Sequence, residues 1–430
     1  MASALDIDEE VTLYSACGHP QAGPDFTPTI HVLKLSSSGF RHIQELVLPK
    51  GSTMPMCQVA CKRLGNLIYS VSSERGVLVL RADDNGYLTL VGEQVTVLGE
   101  QSKAGPCHLC LDHTERWLFV CNYEHGSLAV LKVEDDGLLQ RPRVYPHGPG
   151  ACEGCTTGEW GSGGYQARQD QAHPHGAFME PGRPFVHVAD LGMNAVIVYS
   201  LDVSSGALTR VWATPFHEGA GPRHLDFSLD GKYAYVINEI DNTVTTLRNV
   251  PVCVQNRSSS QGVHAAASPA VWEVVGSVST LPKGWIDAVP PPALPFEFYS
   301  VPNHASELLV SPDGRFVYVS NRGHDSIACL AVGEGGGVLQ LVDCFSSLGR
   351  LPWTFAFAGR PDLMIVQNQY SAGQPPQDPG SLAVLRVDKS TGKLSATDIR
   401  WQSPHVMSVL ALPSITKSEV KDCERPCMVM

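Results

Sequence analysis

The stretch Asn303–Ser326, NHASELLVSPDGRFVYVSNRGHDS, decides how the chain is read. Ala305–Pro312 carries Leu308 and Val310 and predicts a short strand. In Pro312-Asp313-Gly314, proline sets φ early and glycine accepts φ > 0, so the chain turns tightly. Arg315–Asn321 predicts a second strand, in which Phe316, Tyr318 and Ser320 alternate with Val317 and Val319. The product is an antiparallel hairpin. His304, before the first strand, and Arg322, after the second, come to the same end of it.

The unit recurs. Gly221–Asp241 (GPRHLDFSLDGKYAYVINEID), His173–Asn194 (HPHGAFMEPGRPFVHVADLGMN) and Gly105–Gly126 (GPCHLCLDHTERWLFVCNYEHG) repeat it, and weaker copies begin near Met54 and Leu351. The interval from His175 to His224 is 49 residues, as is that from Asn303 to Pro352. Self-similarity near this period, with several strands per repeat, predicts a β-propeller. The expected blade has four antiparallel strands.

Six copies do not complete the ring. Val11–Ala16, Thr29–Leu35 and Gln44–Leu48 predict strands with no opening strand of the repeat type, and His405–Leu412 predicts a lone strand after the sixth copy. Pairing the two ends of the chain makes a seventh, composite blade and removes a free sheet edge. The expected organisation is a leader at 1–10, one all-β seven-bladed propeller over 11–412, and a tail at 413–430. Two insertions stretch the period, 147–171 and 249–299, the second expected to follow the third and outer strands of its blade. Segments of this length inside a compact domain are usually lids, binding loops or disordered decoration.

Composition fits this reading. Apolar residues make up 43% and charged residues 17%, and 40 glycines and 31 prolines supply many tight turns. No apolar run is long enough to span a bilayer, and the acidic start MASALDIDEE lacks the basic and apolar regions of a secretory signal. A net charge of −12 argues against a nucleic-acid surface. The 13 cysteines lie largely in predicted strands, which suits reduced, buried thiols in a cytoplasmic protein. Cys107 and Cys110 would face opposite sides of a strand, and Cys152 and Cys155 lack the second pair that a zinc site needs. No metal or cofactor is expected.

Hairpin geometry gathers chemistry at one end of the channel. First strands bring His108, His173, His175, Arg223, His224 and His304, and second strands end in Asn122, Asp190, Asn238-Glu239, Asn321-Arg322 and Asn368. Each has a plainer reading. A histidine opening a strand often bonds a neighbouring carbonyl, the asparagines and Asp190 suit turns, and Arg223 and Arg322 could pair with Glu239 and Asp325. Departures from the repeat carry more information. Arg223 stands where other copies have Cys107 or Pro174, and Glu239 and Arg322 each occur once. Two arginine forks and several imidazoles around one funnel imply a small anionic substrate.

The segments HPHG, GPRH, Val236-Ile237-Asn238-Glu239 and SPDGRFVYVSNRGHDSI resemble the lactonase family of seven-bladed propellers. Its members include a bacterial type of 6-phosphogluconolactonase and a fungal carboxymuconate lactonising enzyme. The resemblance covers roughly Met54 to Val387. It implies a metal-independent catalytic set of His175, Arg223, Glu239 and Arg322, and the rim residues His108, His173, His224, His304 and Asn321 are expected around the substrate. On this reading Arg322 and Arg223 hold the anionic group and polarise the lactone carbonyl, while Glu239 or His175 takes a proton from water. Leu229 replaces the proline of the SPDG turn, and the two long insertions are further departures. The expected reaction is hydrolysis of a sugar lactone, 6-phosphogluconolactone foremost. The other readings are lactonisation of a carboxymuconate-like diacid and a propeller that binds a small anion or a protein without turnover. A monomer is expected.

The chain ends Cys427-Met428-Val429-Met430, which fits the C-a-a-X pattern for farnesylation of Cys427. Cys423 could carry a second acyl chain, and two lipid signals anchor a protein peripherally where one does so marginally.

Overall fold

The computed structural model describes residues 7, 9–18, 27–49, 56–72, 76–94, 104–148, 168–251, 270–285, 302–370, 379–403 and 406–412. Their strands form seven sheets of four antiparallel strands each. In the hairpin that opened the reading, His304–Val310 pairs with Phe316–Arg322, and His304 lies opposite Arg322. His304 is thus the first residue of the strand rather than the residue before it. Gly314, at φ 74°, closes the turn by donating its amide to Ser311 O.

The first strands of neighbouring sheets touch one another all the way round, so seven inner strands line a channel. We number the blades by chain order, from the composite blade as blade 1. There Val406–Leu412 is innermost, followed by Val11–Cys17, Thr29–Ser36 and Gly39–Val47. The ends of the chain share a sheet, as expected. The last of these strands starts earlier than the Gln44 expected. His405 lies outside the described residues, as do most of the leader, the whole tail with Cys423 and Cys427, and Cys152 and Cys155.

Among the described residues there are seven apolar clusters, each built from two adjacent blades. The alternation in Phe316–Arg322 shows why. Phe316 and Tyr318 pack towards blade 7, and Val317 and Val319 towards blade 5. A middle strand of a blade is therefore buried on both faces. A tyrosine latch recurs between blades: Tyr69, Tyr235 and Tyr318 donate their hydroxyls to Gly137 O, Gly336 O and Gly392 O at 2.9, 2.8 and 2.9 Å. Gly392, at φ 73°, sits so close that a Cβ there would lie 2.5 Å from Phe316.

The second insertion is placed differently from the expectation. The outer strand of blade 5, Ala270–Ser279, lies within 249–299 and pairs with Thr243–Pro251. Residues 252–269 therefore join the third strand to the outer one. The pairing of Pro251 with Ala270, at the far end from Thr243, puts these two residues on the side of the ring opposite Glu239. Of the first insertion, residues 147–148 and 168–171 are described, and Arg168 reaches the site. Among the described residues no helix is long and apolar enough to cross a membrane, and no group of three or more His, Cys, Asp or Glu side chains could hold a metal ion.

Candidate active site

The inner strands reach the channel through β-bulges. In blade 3, Pro106 pairs with Asn122 and His108 with Cys121, which leaves Cys107 outside the ladder. The same shift frees His175 in blade 4, Arg223 in blade 5 and Trp353 in blade 7. In blade 6, Ser306 and Glu307 together span the gap between the pairs Ala305–Asn321 and Leu308–Val319. An extra residue bends a strand and re-aims its side chain. The register also corrects one alignment: the counterpart of Arg223 is His175, and Pro174 corresponds to Pro222.

Glu239 is the centre of the charge. It follows the second strand of blade 5 and is 1% exposed. Its Oε1 lies 3.0 Å from Arg168 Nη2, 3.0 Å from Arg322 Nη2 and 3.5 Å from His304 Nδ1, and its Oε2 lies 3.0 Å from Arg223 Nε. Burial alone would raise this carboxyl, but Arg168, Arg322, His304 and Arg223 outweigh it and hold Glu239 well below the usual carboxylate range. Burial and then Arg322 pull Arg223 down, to about 10, which still leaves it cationic at neutral pH. Three buried guanidinium groups thus share one carboxylate.

Each arginine is fixed from elsewhere. Arg223 Nη1 donates to Ser306 O at 2.7 Å, and Arg322 Nε donates to His304 O at 3.3 Å. The Arg322 guanidinium lies 4.4 Å over the Trp353 ring, a cation–π contact. Arg168 Nε donates to Tyr123 Oη at 3.1 Å. Its neighbour Gln169 donates to Leu191 O and Asn194 Oδ1, and Asp170 bonds His173, so the end of the first insertion is tied to blade 4.

Beside this cluster is a small cavity of about 20 Å3, lined among others by Cys107, His108, His175, Arg223, His224 and Glu307. That volume admits about one water molecule. The rings of His108 and His175 lie 5.0 and 5.2 Å from His224. His108 Nδ1 accepts the Ala177 amide at 3.2 Å, so its proton sits on Nε2. His175 Nδ1 is buried without a partner among the described residues. Burial, followed by neighbouring cations and imidazoles, holds His108, His175 and His224 well below the usual histidine value, so all three are neutral.

The structure brings His175, Arg223, Glu239 and Arg322 together, with His108, His224 and His304 around them. It gives two other candidates plainer work. His173 stacks on Tyr123 at 4.3 Å and bonds Tyr123 O and Asp170, and so positions the loop that carries Arg168. Asn321 is fully buried and exchanges hydrogen bonds with Thr280, Asn303 and Ser326. Asn122, Asn238 and Asn368 likewise brace their turns, and Asp190 bonds His147 and two amides. Arg322 pairs with Glu239 and not Asp325, which lies 3.6 Å from Arg350. Sequence reasoning missed Arg168, Glu307, Trp353 and Thr354. Arg168 had one signal, as an arginine closing the insertion that leads into HPHG. The other three sit within or beside bulges, which leave no local mark in the sequence.

The family described as "Lactonase, 7-bladed beta-propeller" matches residues 27–411. The 6-phosphogluconolactonase of Bacillus subtilis (strain 168) is 29% identical over 361 residues, covering 83% of this chain and 87% of that protein. Two solved structures share the fold. The periplasmic gluconolactonase of Pseudomonas aeruginosa has a TM-score of 0.72 at 21% identity, covering 95% of this chain and 100% of that one. A putative 6-phosphogluconolactonase from Bacteroides fragilis has a TM-score of 0.69 at 21% identity, covering 94% and 99%. With the ring, the bulged inner strands and the match over nearly its whole length, the chain belongs to the lactonase family of seven-bladed β-propellers.

Proposed function

We propose that this lactonase hydrolyses a small anionic sugar lactone, with 6-phosphogluconolactone opened to 6-phosphogluconate as the best-supported substrate. The observation that carries this reading is the convergence of Arg168, Arg223 and Arg322 on Glu239. Three buried cations against Glu239, with Glu307 the next carboxylate beside Arg223, leave a net positive charge for a ligand to neutralise. A phosphate group supplies negative charge there, and its oxygens suit guanidinium forks. The name of the Bacillus subtilis relative supports the same substrate.

The chemistry follows from which groups can accept a proton. Glu239, held far below its usual range and contacted through both oxygens, is a poor base, so its role is to hold the arginines in place. Arg223 and Arg322 bind the anionic group and stabilise the oxyanion that forms as water attacks the carbonyl carbon. A neutral imidazole of the cavity accepts the proton.

The test follows acid release from 6-phosphogluconolactone and from unphosphorylated gluconolactone, each above spontaneous hydrolysis. One hydrogen bond to a charged group is worth about 1.5–3 kcal/mol, so kcat/KM should favour the phosphorylated lactone at least about tenfold. Equal rates would point to the neutral sugar lactone. Binding of phosphate with turnover of neither lactone would leave an anion-binding propeller.

A further inference from the structure

Glu307 lies in the bulge of the blade 6 inner strand, is 3% exposed and lines the cavity. Its Oε1 lies 3.0 Å from His224 Nδ1 and accepts the Leu308 amide at 2.9 Å. Its Oε2 accepts the Thr354 hydroxyl at 3.1 Å. The Leu308 amide and the Thr354 hydroxyl each donate to one oxygen, and burial raises this carboxyl while Arg223 and these donors lower it. In its ionised form the carboxylate only accepts, so the 3.0 Å contact puts the Nδ1 proton on His224 and leaves Nε2 as the basic atom of the ring. Arg223 Nη1 lies 3.3 and 3.4 Å from the two ring nitrogens, nearly equidistant and so in line with neither lone pair.

We propose that Glu307 and His224 are the proton-accepting pair of this site, with the attacking water held in the cavity they line. The inference rests on the hydrolysis proposed above and names the base for it. His224 is the catalytic residue, and Glu307 is a positioning residue that fixes its tautomer and stabilises the imidazolium. Two alternatives in the cavity are weaker. His108 already spends Nδ1 on the Ala177 amide, and among the described residues no carboxylate lies within hydrogen-bond distance of His175 Nδ1.

The step balances without a co-reactant. The water oxygen bonds to the carbonyl carbon while one water proton passes to His224 Nε2, and the carbonyl π pair moves onto oxygen beside Arg223. As the oxyanion collapses, the ring C–O bond breaks and the leaving ring oxygen takes the proton from Nε2. The product is a hydroxy acid that ionises in water, and the imidazole is neutral again. The groups that face the pair are Arg223 on the same strand, His108 from blade 3, His175 from blade 4, and Cys57 and Thr354 at the cavity, with Glu239 and Arg322 beyond Arg223.

The test compares Glu307→Gln, Glu307→Asp, His224→Asn and the Glu307→Gln/His224→Asn double variant with the wild type in lactone hydrolysis across pH. Glutamine keeps the volume and an oxygen acceptor but cannot offset an imidazolium charge. Glu307→Gln should lower kcat about 10²–10⁴-fold with KM little changed. Its residual kcat should show the acid limb at lower pH than the wild type, because the protonated imidazole has lost its stabilising charge. Glu307→Asp should restore part of kcat, and the double variant should be no worse than the worse single one, as for groups acting as a unit. Should Glu307→Gln fail to fold, as judged by its melting curve, Thr354→Val releases one oxygen of the same carboxylate, and should lower kcat with KM little changed. Wild-type kcat in Glu307→Gln, or a loss in KM alone with an unmoved pH profile, overturns the assignment. A wild-type protein that turns over no lactone instead overturns the hydrolysis reading itself, a distinct result.

Discussion

Glu239→Gln removes the charge that three arginines share while keeping the volume of the side chain. The wild-type carboxylate lies 3.0 Å from a nitrogen of each arginine, and every partner is at most 6% exposed. Taking one member out of a buried ion cluster costs about 3–5 kcal/mol, because the remaining charges stay buried and uncompensated. The unfolding entropy of a chain this size is about 0.9 kcal/mol/K, which converts the loss to a fall in Tm of about 3–6 °C. The pH dependence has a definite sign. The folded pKa of Glu239 is depressed, so its contribution is complete above the unfolded value of about 4.3 and is lost as pH falls towards the folded value. The gap between wild type and variant should therefore hold at neutral pH and narrow in acid. Added phosphate, taking the place of the lost carboxylate, should raise the Tm of the variant more than that of the wild type. Calorimetry of both proteins across pH, with and without phosphate, reads all three effects. Equal melting temperatures at neutral pH together with indifference to phosphate would refute the clamp.

Arg168→Gln should lower kcat/KM for the phosphorylated lactone more than for the neutral one, because a charged contact is lost only where the ligand is charged. Steady-state rates on both lactones check this, and an unchanged ratio would remove Arg168 from the anion site. Tyr318→Phe deletes the hydroxyl that reaches Gly392 O, a net loss of about 0.5–1.5 kcal/mol. It should lower Tm by about 1–2 °C and leave lactone turnover at the wild-type level, since the latch joins the second strand of blade 6 to the turn before the outer strand of blade 7, away from the cavity.

What the sequence by itself determined was everything that depends on near neighbours in the chain. A turn such as Pro312-Asp313-Gly314 needs only its own φ values, and the alternation of Phe316 and Tyr318 with Val317 and Val319 needs only the two-residue period of a strand. Repetition of such units implies the ring, and the unmatched strand near the C-terminus implies how it closes. Arg223, Glu239 and Arg322 were legible because each interrupts a repeat that is otherwise maintained. Tertiary structure decided the rest. Whether Cys107, His175, Arg223, Glu307 and Trp353 leave the ladder depends on the cross-strand register, since one unpaired residue switches which face its neighbours occupy. Arg168 meets its glutamate partner one blade away, and His224 meets its own on the neighbouring inner strand of the channel. Glu239 showed in the sequence as a carboxylate that could take a proton. Only the three arginines packed around it, each brought by a different part of the ring, turn it into a fixed anion that cannot.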